Sequence, residues 1–318
     1  MTHFDVFNGD ADGICSLLQL RLATPLDSVL ITGAKRDIAL LQRVDAQPGD
    51  EVTALDISVA VNRQALLALL ARGVKIEYFD HHFAGELPKH AGLDAHIDTS
   101  PDVCTGILVD RHLTGRHRIW TVVSAFGDNL TSVAQQLAVP LALDSAQLAD
   151  LRELGESLTY NAYGDSDADL IAHPSALYLT LLRSADPFRF MHTEPVFRQI
   201  SEARRQDLDL ARQTQPEMAL AGATIYVLPD APWSRRVRGV FSNELANDSP
   251  DLAHAILTPN AKGGYSVSVR APLAKRVGAD ALCRQFVTGG GRSAAAGIDH
   301  LPGDQMREFM RRLDKAFP

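Results

Sequence analysis

Short runs of apolar and β-branched residues alternate with segments of helical spacing through the first hundred positions of the chain. FDVF, Phe4–Phe7, precedes Gly13–Ala23, in which Ile14, Leu17, Leu18, Leu20 and Leu22 recur at helical intervals. VLITG, Val29–Gly33, predicts a second strand, and a polar helical segment is expected from Arg36. EVTAL, Glu51–Leu55, predicts a third strand, and Asn62–Arg72, with Leu66, Leu67, Leu69 and Leu70, a helix stopped by Gly73. VKIEYF, Val74–Phe79, predicts a further strand. Such β-α-β alternation implies an α/β domain on a mainly parallel sheet with helices on both faces.

Beyond about residue 102 the pattern turns helical, over Val103–Leu113, Trp120–Ala125 and Asp144–Tyr160. Glu194–Gln215 is charged and helical; it reads as a connecting helix between domains or as a surface helix of the first. Strand character returns in TIYVLP, AHAILTPN and YSVSVRAP, the last two joined by a Lys262-Gly263-Gly264 turn that suits a hairpin. A helix over Ala279–Phe286, a glycine-rich loop at Thr288–Arg292 and an amphipathic helix over Met306–Phe317 complete the chain. The expected organisation is a first domain over residues 1–190, a helical connector over 191–217 and a smaller mixed-sheet α/β domain over 218–318.

Composition narrows the function classes. The 318 residues are 46% hydrophobic and 22% charged, the balance of a globular protein that buries a full core. A net charge of −8 disfavours sequence-independent binding along long nucleic acid and suits a short phosphorylated substrate. Cys15, Cys104 and Cys283 are too sparse for a disulfide framework, and no apolar run approaches a membrane span. A soluble, cytoplasmic protein with no membrane partner is expected, and a homo-oligomer is compatible with everything in the sequence.

Four acidic sites carry the candidate chemistry: NGDADG at Asn8–Gly13, Asp56, Asp80-His81-His82, and Gly127-Asp128-Asn129. Three of them end predicted strands, and carboxylates at the ends of successive parallel strands converge where open α/β sheets bind ligands. Each alone has a structural reading. Asp10 and Asp12 serve equally well as helix caps, Asp56 or Ser58 in isolation is better read as a cap, and Gly127–Asn129 as a turn. Adjacent histidines after an acid and a buried strand are rarely needed for packing. Together the residues form the oxygen-rich, partly imidazole inventory of a two-metal site for phosphate-ester hydrolysis, with manganese, magnesium or cobalt favoured over a closed structural zinc.

In this order and over this length, NGDADG, Asp56, DHH and Asp128 resemble motifs I to IV of the DHH phosphoesterase superfamily. TGGGRSAAAGID, Thr288–Asp299, resembles the glycine-rich signature of its associated substrate domain. The resemblance covers nearly the whole chain. Its members include RecJ-type single-strand exonucleases, nano-RNases, dinucleotide phosphodiesterases and exopolyphosphatase relatives, typically manganese-dependent and with the active site in a cleft between domains.

The resemblance implies two divalent metal ions, with Asp10, Asp12, Asp56, His81 and Asp128 as ligands and Asp56 and Asp128 as shared or central ones. It implies His82 as a phosphate contact or leaving-group partner and Asp80 as the residue that orients the histidine loop. It implies Arg270 and the Gly289, Gly290, Gly291, Arg292 loop as substrate contacts. Glycines that let backbone N–H groups approach an anion, beside a forked guanidinium, suit that role. The substrate implied is a small phosphorylated nucleotide or short RNA, released as mononucleotides. A single-strand exonuclease, a nucleotide 3′-phosphatase, an exopolyphosphatase and a catalytically silent nucleotide-binding regulator are the alternatives.

Two positions depart from the pattern. Asn8 stands where many small-substrate members carry a histidine, which implies weaker binding of one metal, and Arg292 replaces the histidine of GGGH. Outside the motifs, Tyr160–Asp165 with Asp167 and Asp169 reads more readily as a helix end with capping acids than as a cleft lining. The basic residues Arg111, His112, Arg116, His117 and Arg118, like Arg235, Arg236 and Arg238, are read either as steering charges or as solvated helix ends.

Overall fold

The computed structural model describes all 318 residues, Met1–Pro318, and divides into two compact units, Met1–Ala203 and Arg204–Pro318. In the first, strands β1 (His3–Phe7), β2 (Val29–Ile31), β3 (Glu51–Leu55), β4 (Lys75–Asp80) and β5 (Leu93–Ile97) form an all-parallel sheet in the order β2-β1-β3-β4-β5. The chain runs from β1 outward to β2, then returns to the other side of β1 for β3. That reversal is a topological switch point, and it leaves a crevice at the strands' carboxyl ends.

Alternate residues of each strand supply two cores. Val6, Val52, Ala54, Ile76 and Tyr78 pack with Leu66, Leu69 and Leu70 of helix α2 (Val59–Ala71) on one face. Phe7, Leu55 and Phe79 face the other core, with Ile14, Leu17 and Leu18 of helix α1 (Ala11–Ala23). Helices α3 (Thr105–His112), α4 (Arg118–Gly127), α5 (Thr131–Ala138), α6 (Ser145–Asn161), α7 (Pro174–Ser184) and α8 (Pro187–Thr193) complete that side. Every residue of α1 from Ala11 to Arg21 is buried, so this helix is a rigid support for the residues at its N-terminus.

Helix α9 (Pro195–Gln213) contains the boundary between the units. The second unit is a six-stranded mixed sheet in the order β10-β11-β9-β8-β7-β6. Its elements are β6 (Met218–Ala219), β7 (Ala223–Val227), α10 (Pro232–Asp248), β8 (Ala253–Asn260), β9 (Gly264–Arg270), α11 (Ala279–Cys283), β10 (Gly289–Arg292), β11 (Ala295–Pro302) and α12 (Met306–Ala316). Only β7 and β8 pair in parallel. No helix is long and apolar enough to cross a membrane.

Two expectations require correction. The polar segment from Arg36 is not a helix but a loop ending in a short 3₁₀ turn, Leu40–Arg43. Its backbone is held instead by contacts to distant loops, described below. The glycine-rich stretch Gly289–Arg292 is not a loop but strand β10, paired antiparallel with β11. A side chain at Gly289 would strike the Cys283 carbonyl at 1.7 Å, and Gly291 has φ of 137°, so the strand's close approach to α11 and its twist both require glycine.

Candidate metal centre at the strand ends

Strands β1, β3 and β4 are neighbours, so their carboxyl ends deliver three of the acidic sites side by side. Asp10 caps α1. Its Oδ1 accepts from the N–H groups of Asp12 (3.0 Å) and Gly13 (3.2 Å). Its Oδ2 is ion-paired with the Lys35 ammonium. Burial works to raise the Asp10 carboxyl pKa, but Lys35 and the Gly13 N–H outweigh it and hold it below the usual range.

Asp12, two residues along in the first turn of α1, is buried and ties this end of the sheet to two helices. Its Oδ2 accepts from the Thr105 N–H at 2.8 Å; Oδ1 accepts from the Gly106 N–H at 2.8 Å and from Ser124 Oγ at 2.5 Å. The carboxylate thus lies on the N-terminus of α3, where dipole and unpaired N–H groups favour negative charge. A side chain at Gly106 would meet Ser124 Oγ at 2.2 Å, so glycine is required for this approach.

Asp56 follows β3 with φ of 59°, a left-handed conformation that costs a non-glycine residue about 1 kcal/mol. It turns the chain sharply and leaves the carboxylate buried beside its neighbours. Burial pushes its pKa well above the usual range, and the charges of Asp12, Asp10 and Asp128 push it further. Asp128 stands at the C-terminal end of α4, where the helix dipole disfavours a carboxylate. Burial and the Asp12 charge push it up to about 6. Ser124 and Asp128 are four residues apart on α4 and so share one helical face.

His81 sits among these acids. Its Nδ1 lies 2.9 Å from the Val103 carbonyl, which only accepts, so Nδ1 carries the hydrogen and Nε2 is presented inward. Nε2 is 3.5 Å from Asp56 Oδ1, 3.8 Å from Asp128 Oδ2 and 3.9 Å from Asp12 Oδ2. Fixing the tautomer through the far nitrogen is how proteins orient a metal-binding histidine. His82 is exposed, and its Nδ1 is 2.7 Å from Asp80 Oδ1. That hydrogen bond raises the His82 pKa against the opposing effect of burial. The other oxygen of Asp80 is buried without a hydrogen-bond partner.

The donor set fits a divalent cation. It offers carboxylates and one oriented imidazole with no thiolate, the mixture that suits Mn²⁺ or Mg²⁺. Burial first, and then the charges of Asp12 and Asp10, push the Asp56 and Asp128 carboxyls up, so the cluster favours a bound cation. Asp12, His81 and Asp128 converge, and Asp56 converges with His81 and His82; Asp80 lies beside them, and Asp10 faces Lys35. The residues not anticipated are Thr105, Gly106 and Ser124, which hold Asp12, and Lys35. Ser124 lies one turn before Asp128, and Lys35 just beyond a predicted strand end; spacing alone offered those signals.

In the second unit, the register pairs Arg292 with Ala295 and Ala295 with Arg270. The two arginines therefore stand in one row two strands apart, roughly 10 Å between backbones, on the same face of the sheet. Arg270 donates from Nε to Asn243 Oδ1 at 2.7 Å and from Nη1 to Ser268 Oγ at 3.1 Å, which fixes its guanidinium. Other charges singled out by sequence are engaged in ion pairs: Arg111 with Asp98, Arg118 with Asp110, Arg235 with Asp230 and Arg236 with Asp207. Asp169 Oδ2 accepts from the Asp165 and Ser166 N–H groups, as a capping acid does.

A parallel sheet with carboxylates at its strand ends, followed by a mixed-sheet unit, is a fold that recurs in known structures. The structure is similar over its whole length to manganese-bound exonuclease RecJ, at 15% identity, 91% of that chain and a TM-score of 0.68. It is similar to RecJ of Thermus thermophilus in complex with Mn²⁺, at 17% identity and a TM-score of 0.63, again over the whole chain but only 52% of that protein. It is also similar to PggH of Vibrio cholerae, a pGpG-specific phosphodiesterase, at 11% identity, 99% of this chain, 97% of that one and a TM-score of 0.53. No protein-family model and no curated protein matches the sequence.

Proposed function

We propose that the chain is a metal-dependent phosphodiesterase that hydrolyses short linear nucleotides, dinucleotides or short oligoribonucleotides, to mononucleotides. The observation that carries this reading is the inward-facing Nε2 of His81 amid Asp12, Asp56 and Asp128. A divalent ion bound there supplies a Lewis acid for the phosphoryl oxygens and lowers the pKa of water toward that of a usable nucleophile. Asp12, Asp56, His81 and Asp128 hold it; α1, α3 and α4 fix the positions of those side chains before substrate arrives.

His82 has a separate task. Asp80 favours its protonated ring and accepts a hydrogen bond from Nδ1–H, which leaves Nε2–H to donate to a phosphoryl or leaving oxygen. Arg270 and Arg292 recognise the substrate's phosphate, and the single row that the sheet register gives them supports that pairing. The net charge of −8, and a pGpG-specific neighbour of similar length, favour a small substrate over long nucleic acid. A RecJ-type exonuclease is the second reading, favoured by the TM-score of 0.68.

The test is a Mn²⁺-dependent hydrolysis screen with 5′-phosphorylated dinucleotides, longer RNA, single-stranded DNA, a nucleoside 3′,5′-bisphosphate and polyphosphate. Preferential cleavage of the dinucleotide is expected. Preferential processive cleavage of single-stranded DNA selects the second reading, and inertness toward every phosphoester overturns both.

A further inference from the structure

We propose that Lys35 is a resident cation of the acid cluster, occupying in charge and position one of the two cation places that the DHH resemblance implies. The centre then takes one divalent ion, held by Asp12, Asp56, His81 and Asp128. This inference rests on the metal-centre reading above and concerns how many ions that centre accepts.

The Lys35 ammonium is paired with Asp10 Oδ2, while Asp10 Oδ1 accepts two backbone N–H groups. Both oxygens of Asp10 are therefore engaged by the chain's own donors. The lysine is placed by its backbone. Its N–H donates to the Ala162 carbonyl at 2.8 Å, and its carbonyl accepts from Asn8 Nδ2 at 3.1 Å. The preceding Ala34 N–H donates to Asp167 Oδ1 at 2.9 Å, and the following Arg36 pairs with Asp165 at 2.5 Å. A side chain at Gly9 would meet the Gly33 carbonyl at 2.0 Å, so the loop before Lys35 is packed directly on the NGDADG turn. Together these contacts hold the loop at both ends of the lysine, which is more than a solvated lysine needs.

Asn8 gives the arrangement its meaning. Its side chain accepts from the Asp10 N–H at 3.3 Å and donates to the Lys35 carbonyl. The residue whose place in the pattern implies a weakly held metal is a bracket between the acid turn and the lysine loop. An asparagine at position 8 and an ammonium on Asp10 are thus parts of one arrangement. The same contacts give Ala162–Asp167, a segment with two acids outside the catalytic reading, a role: it anchors the lysine loop.

The remaining donors suit a single ion. Metal–ligand bonds of about 2.1 Å place neighbouring donor atoms roughly 3–3.5 Å apart. Asp12, His81 and Asp128 offer ligand atoms all within 4.8 Å of one another, and Asp56 Oδ1 lies 3.5 Å from the same His81 Nε2, so a modest contraction would surround one ion. Beside it, a fixed ammonium neutralises negative charge without having to be recruited from solution, as a compact point charge with three donors.

The experiment is a count of bound Mn²⁺ per chain by native mass spectrometry and elemental analysis, on full-length wild type, Lys35→Met and Lys35→Arg. Wild type and Lys35→Arg are expected to saturate at one ion, and Lys35→Met at two, as Asp10 becomes available. Two ions on wild type, or one on Lys35→Met, overturns the proposal. Should Lys35→Met fail to fold, Lys35→Gln replaces it, and the wild-type count decides by itself. A wild type that binds no Mn²⁺ overturns the metal-centre reading as well, so the two failures are distinguishable.

Discussion

Two clusters in the first unit contain the same kinds of residue and are built differently. At the strand ends, His81 is tied through Nδ1 to a backbone carbonyl and points Nε2 at three carboxylates within 3.9 Å. On β4, β5 and α3, Glu77, His96 and His112 also bring potential ligand atoms together. There, one glutamate oxygen is 3.9 Å from His96 Nε2 and 4.0 Å from His112 Nε2. The two imidazoles use their faces and edges for packing: His96 stacks on Phe79 at 4.4 Å between ring centres, and His112 meets it edge-on at 5.3 Å. Ligand count does not separate the clusters. Charge and orientation do, because a hard cation needs several carboxylates and a histidine whose far nitrogen is already committed.

The comparison breaks most severely on its principal residues. Asp56→Ala and His81→Ala are each expected to lower turnover by about 10³-fold or more and to weaken Mn²⁺ binding, with the far-ultraviolet circular dichroism unchanged. Full activity in either variant would remove the metal centre from the strand ends. Asp80→Asn should cost less, about 10- to 100-fold in turnover, because it acts through His82. Its pH–rate profile should shift with the loss of the interaction that raises the His82 pKa, whereas a purely structural role would leave the profile unmoved.

The charge imbalance predicts a pH dependence with a definite sign. In the metal-free folded protein Asp128 keeps its proton to about pH 6, whereas in the unfolded chain it ionises in the ordinary carboxylate range. Its contribution to the stability of the metal-free protein is present at low pH and lost as pH rises through about 6. A bound cation requires the carboxylate forms of Asp128 and of Asp56, whose pKa is also raised, so Mn²⁺ affinity should fall by at least about tenfold per pH unit below about 6, with proton release on binding. Calorimetric titration in buffers of different ionisation enthalpy checks this; affinity flat between about pH 5 and 7 would contradict it. In the second unit, Arg292→Ala should raise KM about tenfold and leave Mn²⁺ binding intact. The smallest effect belongs to the contrasting cluster: His96→Ala and His112→Ala should leave metal affinity and turnover at wild-type values.

What was legible beforehand follows from the range of the interactions. Asp10, Asp12, Asp56 and the histidine pair follow predicted strands, and a parallel sheet brings the ends of such strands together by its own geometry. Lys35 and the trio Thr105, Gly106 and Ser124 reach the site through contacts between elements far apart in the chain, which no local pattern encodes. Gly289–Arg292 read as a loop because glycine is poor in strands; here the close packing against Cys283 overrides that preference. Helix α10 was not anticipated, since its stripe of Val237, Phe241 and Ala246 is interrupted by arginines and polar residues.

Anomalous diffraction at the manganese absorption edge, from crystals of the full chain equilibrated with Mn²⁺, tests the central contrast most directly. A peak bounded by Asp12, Asp56, His81 and Asp128, with none at Glu77, His96 and His112, is the expected result. A peak at the second cluster, or an empty strand-end site at saturating Mn²⁺, would contradict it.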